Sequence, residues 1–287
     1  MEINIAINRE TCIKCGKCVR VCPSAIFTQE SPDAEVELRN IQNCILCGHC
    51  AAVCPTSSVI HSEFPAEKIH KIDRNALPSP EQITLLIKSR RSNRAFSQKP
   101  VPEEYLDLIL EAAHRAPTAS NLQQVEFTLI TDPEQMRMVA QYTVDIYCSI
   151  AKLLSNPIVK LFVRPFKPEL YKLIPRLESL VRNFEKGHDP ILRGATSLIF
   201  IHTAKGLDFG RDDANLAYQN GSLMAESLGV SQFYTGFVCR AIRQDKKNRL
   251  ARKLGINGVI QAGLALGMPS FLYPNYMDKE DIKVNRL

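Results

Sequence analysis

Residues 12–23 read CIKCGKCVRVCP and residues 44–55 read CILCGHCAAVCP. The second run repeats the first at an offset of 32 positions, and both follow the pattern Cys-x2-Cys-x2-Cys-x3-Cys-Pro. Together they hold eight of the chain's ten cysteines. Because the N-terminus shows no secretory signal, such dense and regular spacing is typical of metal ligands rather than of disulfides. We therefore expect two metal-binding loops in a cytoplasmic protein.

The spacing within each run indicates which metal is bound. Three cysteines at intervals of three wrap one corner of a cuboidal cluster, with the turn eased at Gly16 or Gly48. The fourth cysteine, which precedes a proline, is expected to reach the neighbouring cluster. This predicts two [4Fe–4S] clusters with the following ligands: Cys12, Cys15, Cys18 and Cys54 for the first, and Cys44, Cys47, Cys50 and Cys22 for the second. In the alternative assignment, Cys22 and Cys54 change places.

Zinc is the competing metal, because Cys-x2-Cys is also a common zinc spacing. Zinc usually takes two close pairs of ligands separated by a longer loop, and a run of four cysteines fits that arrangement poorly. Over about its first 60 residues the chain resembles a bacterial two-cluster ferredoxin, which implies a β-hairpin around each cluster. The spacing of Ile3, Ile5 and Ile7 predicts an opening strand, and Val36 and Leu38 predict another.

The length of 287 residues suggests two domains, at roughly 150 residues each. Prolines within residues 64–80 mark a linker, so we place a ferredoxin domain at 1–75 and a second domain at 76–287. Within the second domain, residues 151–186 form an insert with 8 basic and 3 acidic residues. One interpretation is a set of helices with solvated basic faces, and the other is a lid that sets substrate choice.

The second domain mixes helices and strands without strict alternation, which predicts an α+β fold. Ser79-Pro80-Glu81 is typical of a helix start, and further helices are predicted at 103–115 and 213–228. The predicted apolar faces consist of Ile83, Leu86 and Ile87 on the first helix, Leu106, Ile109, Leu110 and Ala113 on the second, and Leu216, Ala217, Leu223, Met224 and Leu228 on the third. Short apolar runs predict strands at 125–131, 196–203 and 258–266.

An arginine-rich run, SRRSNRAF, occupies residues 89–96, directly after the first of these helices. Taken alone, it is typical of a solvated helix end, although guanidinium groups also match phosphate oxygens bidentately. Three further segments follow in order: APTASNLQ at 116–123, GSLMAESLGV and YTGF within 221–237, and GLALGMP at 263–269. Taken together over about residues 80–270, these segments resemble the nitroreductase family of FMN enzymes.

The resemblance implies an FMN site made of three segments. They are matched here by Arg90, Arg91, Ser92 and Arg94 for the phosphate and ribityl chain; by Pro117, Thr118, Ala119, Asn121 and Gln123 for a loop that reaches the flavin from the other subunit of a homodimer; and by Thr235 and Gly236 for the backbone near flavin N5. A basic pair that commonly completes the phosphate site is missing after Pro269, where Lys279, Lys283 or Arg286 is the available substitute. No side chain is predicted as a catalytic acid.

The two resemblances together predict an iron–sulfur flavoprotein oxidoreductase of the nitroreductase type. Electrons from a ferredoxin or flavodoxin, or from NAD(P)H, are expected to pass through two [4Fe–4S] clusters and FMN to a small acceptor of the nitro, quinone or enone type. The alternative is an electron-transfer relay protein without its own small-molecule substrate. The chain has no Trp and only 7% aromatic residues, which disfavours nucleic-acid binding, and no apolar run long enough for a membrane span.

Overall fold

A computed structural model describes residues 3–287, which divide into two compact units. The first contains the chain up to Pro78 together with the short segment Ala119–Leu122. The second contains Ser79–Thr118 and Gln123–Leu287. The division after Pro78 lies close to the boundary expected at residue 75, whereas the assignment of residues 119–122 to the first unit was not foreseen.

The first unit consists of two small antiparallel sheets and two short helices. Its elements are β1 (Ile5–Ile7), α1 (Lys17–Val21), β2 (Phe27–Thr28), β3 (Glu37–Leu38), α2 (His49–Val53) and β4 (Val59–His61). Strand β1 pairs with β4, and β2 pairs with β3. The predicted opening strand is confirmed at Ile5 and Ile7, although Ile3 lies before it. Buried Ile5, Phe27 and Val59 join the two sheets in one small core.

The sequence repeat is reproduced in the backbone of this unit. Three pairs of residues, each 32 positions apart, share a positive φ: Lys14 and Leu46 (54° and 54°), Gly16 and Gly48 (62° and 70°), and Ala25 and Ser57 (50° and 52°). The left-handed region is unfavourable for residues that carry a Cβ. Its occurrence at equivalent non-glycine positions therefore shows that both cysteine runs are held in the same shape.

The second unit is a four-stranded antiparallel sheet surrounded by helices. Its elements are α3 (Pro80–Ser89), α4 (Glu103–His114), β5 (Val125–Ile130), α5 (Pro133–Ser155), α6 (Pro157–Val163), α7 (Pro168–Tyr171), α8 (Ile174–Glu185), β6 (Ser197–Thr203), α9 (Gly210–Ser227), β7 (Ser231–Tyr234), α10 (Gly236–Gln244), α11 (Arg249–Lys253) and β8 (Val259–Gly267). The strand order is β5-β6-β8-β7. The predicted α+β class is confirmed, as are the three predicted strands.

Strand β6 runs through the centre of the core, and all seven of its residues are buried. Leu198 and Phe200 pack into the cluster that contains residues of α5, α8 and α10. Ile199 and Ile201, which point to the opposite face, pack into the cluster that contains residues of α4 and α9. The sheet therefore lies between two layers of helices.

Helix α3 begins where the sequence predicts but does not bury the predicted face. Ser79 Oγ accepts a hydrogen bond from Gln82 N at 3.2 Å, and Gln82 Oε1 accepts one from Ser79 N at 2.8 Å, which is a capping box. No residue of α3 is buried, and Ile83 and Ile87 are 41% and 53% exposed. The predicted apolar face of α3 is therefore left largely exposed, although the helix contacts α9.

Helix α9 buries most of the predicted face: Ala217 is buried and Met224 and Leu228 pack against the core, but Leu216 is exposed. Leu216 is 46% exposed, whereas the buried positions are small residues: Ala214, Ala217, Gly221, Ser222 and Ala225. A Cβ added at Gly221 would lie 3.4 Å from the Cβ of Ala113 on α4. The two helices approach so closely that small side chains, rather than leucines, form their interface.

The basic insert folds as short helices. Pro157, Pro168 and Pro175 lie in the first turns of α6, α7 and α8, where proline starts a helix and prevents a longer one. Leu177 and Leu180 of α8 are buried in the core cluster that contains α5. Among residues 3–287, no single helix is long and apolar enough to cross a bilayer; α5 and α6 meet that criterion only as a pair bent by 78°.

Candidate cofactor-binding sites

The eight cysteines of the first unit line two small cavities. Cys12, Cys15, Cys18 and Cys54 line one, and Cys44, Cys47, Cys50 and Cys22 line the other. Each cavity thus combines three cysteines of one run with the fourth cysteine of the other run. This crossed grouping is the one expected from the spacing. In the alternative assignment, Cys22 would lie with the first run and Cys54 with the second, and neither cavity has that composition.

Equivalent backbone groups donate to the sulfur of each fourth cysteine. Ile26 N donates to Cys22 Sγ at 3.4 Å, and Ser58 N donates to Cys54 Sγ at 3.2 Å. Hydrogen bonds to the sulfurs stabilise thiolate ligands and tune the potential of a cluster. The sequence reasoning missed these donors, although Ile26 and Ser58 are themselves 32 positions apart and so belong to the repeat.

The thiol groups differ in their acidity. Burial raises the pKa of Cys18, and it raises the pKa of Cys50 to about 11. Burial also opposes ionisation of Cys54, but backbone hydrogen bonds from Val59 and Thr56 lower the pKa of that thiol overall. Metal ligation requires the thiolate, so binding at these positions releases protons.

Each cavity is lined by four thiols, the number that a [4Fe–4S] cluster takes as ligands. A tetrahedral zinc with Zn–S bonds of ~2.3 Å would draw its sulfurs to within roughly 3.8 Å of one another. In a cuboidal cluster each thiolate binds a different iron, so the sulfurs stay further apart.

In the second unit, the arginine-rich run is fixed to the edge of the sheet. Ser92 forms a parallel bridge with Gln232 of β7. The buried Gln232 donates from Nε2 to the Arg91 carbonyl oxygen at 3.1 Å and accepts at Oε1 from Tyr218 Oη at 3.1 Å. The run is thereby aligned with β7, which leads directly to Thr235. Neither Gln232 nor Tyr218 was singled out from the sequence, although a glutamine within a short apolar strand is an unusual residue.

A cavity of about 770 Å³ brings two of the predicted flavin segments together. Arg94 lines it, as do Thr235 and Gly236 at the start of α10. Thr235 is buried, and a Cβ added at Gly263 would overlap its Oγ1, so the close approach of β8 requires glycine there. The first N–H groups of α10 have no partners within the helix and are oriented as the positive end of its dipole.

The arginine-rich run, of which Arg94 lines this cavity, fits the phosphate of FMN. Arg91 Nε is buried and, within the described part of the chain, lacks a hydrogen-bond partner. A buried donor of that kind normally has an acceptor, and a phosphate oxygen supplies one. Arg90, Arg91 and Ser92 lie next to Arg94 in the chain but do not line the cavity itself. Its volume is typical of ligand sites, which span about 300–1,000 Å³.

The remaining residues predicted for the FMN site do not line this cavity. The substitutes proposed for the missing basic pair, Lys279, Lys283 and Arg286, are exposed in the C-terminal tail and line no part of the cavity. Thr118 Oγ1 accepts from Gln123 N at 3.0 Å, and Pro117 is exposed. Ala119 and Asn121 form a short turn that belongs to the first unit.

Asn121 is held by the second cysteine run rather than left free. Its Nδ2 donates to the carbonyl oxygens of Ile45 and Leu46, at 3.2 and 2.7 Å. Both carbonyls lie between Cys44 and Cys47, so within the first unit Asn121 braces the loop that carries these thiols. The sequence reasoning had assigned Asn121 only to the flavin loop.

Part of the insert lines the same cavity as Thr235. Leu170, Leu173, Arg176 and Leu177 contribute from α7, α8 and the turn between them. Arg193 and Arg240 line it as well. The sequence reasoning missed these three arginines, because they are distant in the chain and only the fold brings them together.

Two protein-family models match the chain, one in each unit. The model described as Nitroreductase family matches residues 87–268, and the model described as 4Fe-4S dicluster domain matches residues 4–55. An NADPH-dependent oxidoreductase of Staphylococcus saprophyticus is 28% identical over 190 residues, which are 66% of this chain and 65% of that protein. The chain therefore spans slightly less than two thirds of this relative's length.

Solved structures share the fold of the second unit. A nitroreductase with bound FMN from Desulfitobacterium hafniense aligns with a TM-score of 0.53 and 20% identity, covering 71% of this chain and 97% of that one. A nitroreductase with bound FMN from Bacteroides fragilis aligns with a TM-score of 0.51 and 20% identity, covering 71% and 99%. At this level of identity the likeness establishes a common fold.

Proposed function

We propose that this chain, which belongs to the nitroreductase family, is an iron–sulfur flavoprotein oxidoreductase that binds FMN and two [4Fe–4S] clusters. The observation that carries the proposal is the meeting of Arg94 with Thr235 and Gly236 at one cavity. These residues are far apart in sequence, and each matches a flavin-contacting segment. The bound FMN reported for two structural neighbours of the same fold is consistent with this site.

The residues of the second unit would hold the cofactor as follows. Arg91, with its unpaired buried Nε, and Ser92 are suited to the phosphate, and Arg94 is placed to reach the cavity. Backbone N–H groups at Gly236 would donate to the flavin ring. FMN supplies the chemistry that joins one-electron donors to two-electron reductions. The Pro117–Gln123 loop is proposed to contact the flavin of a partner subunit.

The cysteines of the first unit would hold the clusters in the crossed arrangement. The two cavities lined by three cysteines of one run and one of the other support that assignment. A one-electron donor protein, such as a ferredoxin or flavodoxin, suits the clusters. The name of the Staphylococcus saprophyticus relative, an NADPH-dependent oxidoreductase, supports a nicotinamide donor as well.

We further propose a homodimer that works in the cytoplasm. Ile83 and Ile87 lie one turn apart on the same side of α3 and are 41% and 53% exposed. Exposed apolar side chains of this kind are typical of a surface that a partner covers. The measured mass in solution should then be twice 32.2 kDa. The eight cysteines proposed as cluster ligands must be available as reduced thiols, and a reducing compartment keeps them so.

The acceptor is proposed to be a small nitro, quinone or enone compound. A relay protein without its own substrate remains the competing function, but a cavity walled by apolar side chains from α5 and α8 favours a bound acceptor. The test is anaerobic turnover of the FMN-loaded protein with reduced ferredoxin, NADH or NADPH and each acceptor class. Multiple turnovers with at least one acceptor support the enzyme. Reduction of the cofactors without turnover of any acceptor supports the relay.

A further inference from the structure

The cavity beside Thr235 carries an unbalanced positive charge. Four arginines line it, namely Arg94, Arg176, Arg193 and Arg240, and no aspartate or glutamate does. None of the four takes part in the ion pairs found among residues 3–287. Like charges that converge on a concave, partly apolar surface raise the local concentration of anions.

Two of these arginines are positioned by aromatic rings of the cavity wall. The Arg176 guanidinium lies 5.7 Å from the ring centroid of Phe237, and that of Arg94 lies 5.5 Å from the ring centroid of Phe233. Stacking of this kind holds the planar guanidinium in place and leaves its edge free for hydrogen bonds; Arg94 Nη1 donates one to the Ser92 carbonyl oxygen at 3.3 Å. Arg193 adopts a φ of 58°, an unfavourable backbone conformation that is often retained at functional sites.

The remaining polar groups of the cavity add no negative charge near neutral pH. Burial raises the pKa of Tyr147 to about 12, and it also raises the pKa of Tyr234. Tyr147 Oη donates to the Phe237 carbonyl oxygen at 2.9 Å, so this hydroxyl is already engaged. The cavity is therefore cationic throughout the physiological range.

The positive charge exceeds what FMN requires. The phosphate carries about two negative charges, which the adjacent run of Arg90, Arg91 and Arg94 is sufficient to neutralise. Arg176, Arg193 and Arg240 come from other parts of the chain and form no ion pair with residues 3–287. Most of the remaining wall is apolar, and its aliphatic side chains are Ile150, Leu153, Leu154, Leu170, Leu173, Leu177 and Ile191.

We propose that the acceptor reduced at this site is an anionic nitro, quinone or enone compound, whose carboxylate is bound by Arg176, Arg193 and Arg240 while its apolar body contacts the leucine wall. Its nitro, quinone or enone group would take two electrons from the reduced flavin and two protons, and the carboxylate would not react. This inference rests on the proposed flavoenzyme function and names its substrate class. A guanidinium binds a carboxylate through two parallel hydrogen bonds, which gives both affinity and orientation. The neutral analogue would leave the three arginines without a partner.

The test compares two probes of similar shape, 4-nitrobenzoate and 4-nitrobenzamide. Their binding to the oxidised FMN-loaded protein is measured by calorimetry without a reductant, after the FMN content of each preparation has been determined. In the unsubstituted protein, 4-nitrobenzoate should bind at least about tenfold more tightly. Arg176→Gln and Arg240→Gln should remove most of this preference while leaving FMN content and 4-nitrobenzamide affinity unchanged. Arg176→Lys should retain part of it.

Arg182→Gln is the matched control, because Arg182 also lies on α8 but pairs with Glu178 and does not line the cavity. It should keep the full preference. Equal affinity for the two probes in FMN-loaded protein overturns the carboxylate proposal and leaves the flavoenzyme proposal intact. Loss of FMN from Arg176→Gln and Arg240→Gln also overturns it, since those arginines would then hold the cofactor. Absence of FMN from the unsubstituted protein overturns the flavoenzyme proposal itself.

Discussion

Gln232 Nε2 lies 3.1 Å from the Arg91 carbonyl oxygen and joins β7 to the arginine-rich run. The same side chain accepts a hydrogen bond from Tyr218 Oη, so one buried amide fixes the positions of both the Arg91 backbone and the Tyr218 side chain. The proposed phosphate site therefore depends on a residue that does not itself reach the phosphate.

Replacing this amide should weaken both the fold and the cofactor site. Gln232→Leu removes the hydrogen bonds that Gln232 makes to the Arg91 carbonyl and to the Tyr218 hydroxyl, which should lower the free energy of unfolding by about 1–3 kcal/mol. The affinity for FMN should fall about tenfold or more as the run loosens. Both quantities are measured by chemical denaturation and by titration of apoprotein with FMN.

Tyr218→Phe is the control for that substitution. It removes one hydrogen bond to Gln232 but retains the bond from Gln232 to Arg91, so the loss of FMN affinity should be clearly smaller. If the two variants lose FMN equally, Gln232 does not position the arginine-rich run.

The crossed cysteine grouping can be tested with double substitutions. Cys12→Ala should abolish the first cluster, so adding Cys54→Ala should remove no further iron, and about four iron atoms per chain should remain. Adding Cys22→Ala instead should remove the second cluster as well. Iron and sulfide are determined after anaerobic reconstitution. The opposite pattern would support the arrangement in which Cys22 and Cys54 change places, and Cys148→Ala should retain all the iron.

The insert should influence the choice of acceptor. Leu173 lines the cavity, so Leu173→Trp should lower kcat/KM for bulky acceptors by roughly 10- to 100-fold while affecting small ones far less. The FMN content should not change. Leu161→Trp on α6 serves as the control, because Leu161 is 71% exposed and does not line the cavity. A uniform loss for all acceptors in Leu173→Trp would argue against a role of the insert in selectivity.

Much of this arrangement was predictable from local sequence. The cysteine runs, the Ser79 cap and the strands depend on spacing and composition within short segments, and each was located correctly. The exposure of Leu216 on α9 and of Ile83 and Ile87 on α3 was not predicted, because burial depends on neighbouring elements: Gly221 rather than Leu216 faces the close α4 contact. Arg176, Arg193 and Arg240 carry no local signal at all, since only the folded chain brings them to one cavity.

A buried histidine should make the stability of the second unit dependent on pH. His202 is 4% exposed, and its Nε2 lies 3.0 Å from Thr128 Oγ1. Burial lowers the pKa of His202, although the Glu126 carboxylate opposes the shift. Below about pH 6.5 the unfolded chain therefore binds more protons, so stability should fall as the pH falls from there towards the folded-state pKa.

The substitution that isolates this effect is His202→Gln, which retains an amide for Thr128 but does not titrate. Denaturation at pH 7.5 and pH 5.5 should show a larger loss of stability on acidification for the unsubstituted protein than for the variant. Other groups, including His61, contribute equally to both proteins. Parallel losses in the two proteins would mean that His202 does not contribute to the pH dependence.

The most direct test of the account is the cofactor content of protein purified without exposure to air. The account predicts about eight iron atoms, about eight acid-labile sulfides and about one FMN per chain, with the visible spectrum bleached by a reductant. Protein that contains zinc without acid-labile sulfide, and that binds no added FMN, would contradict it.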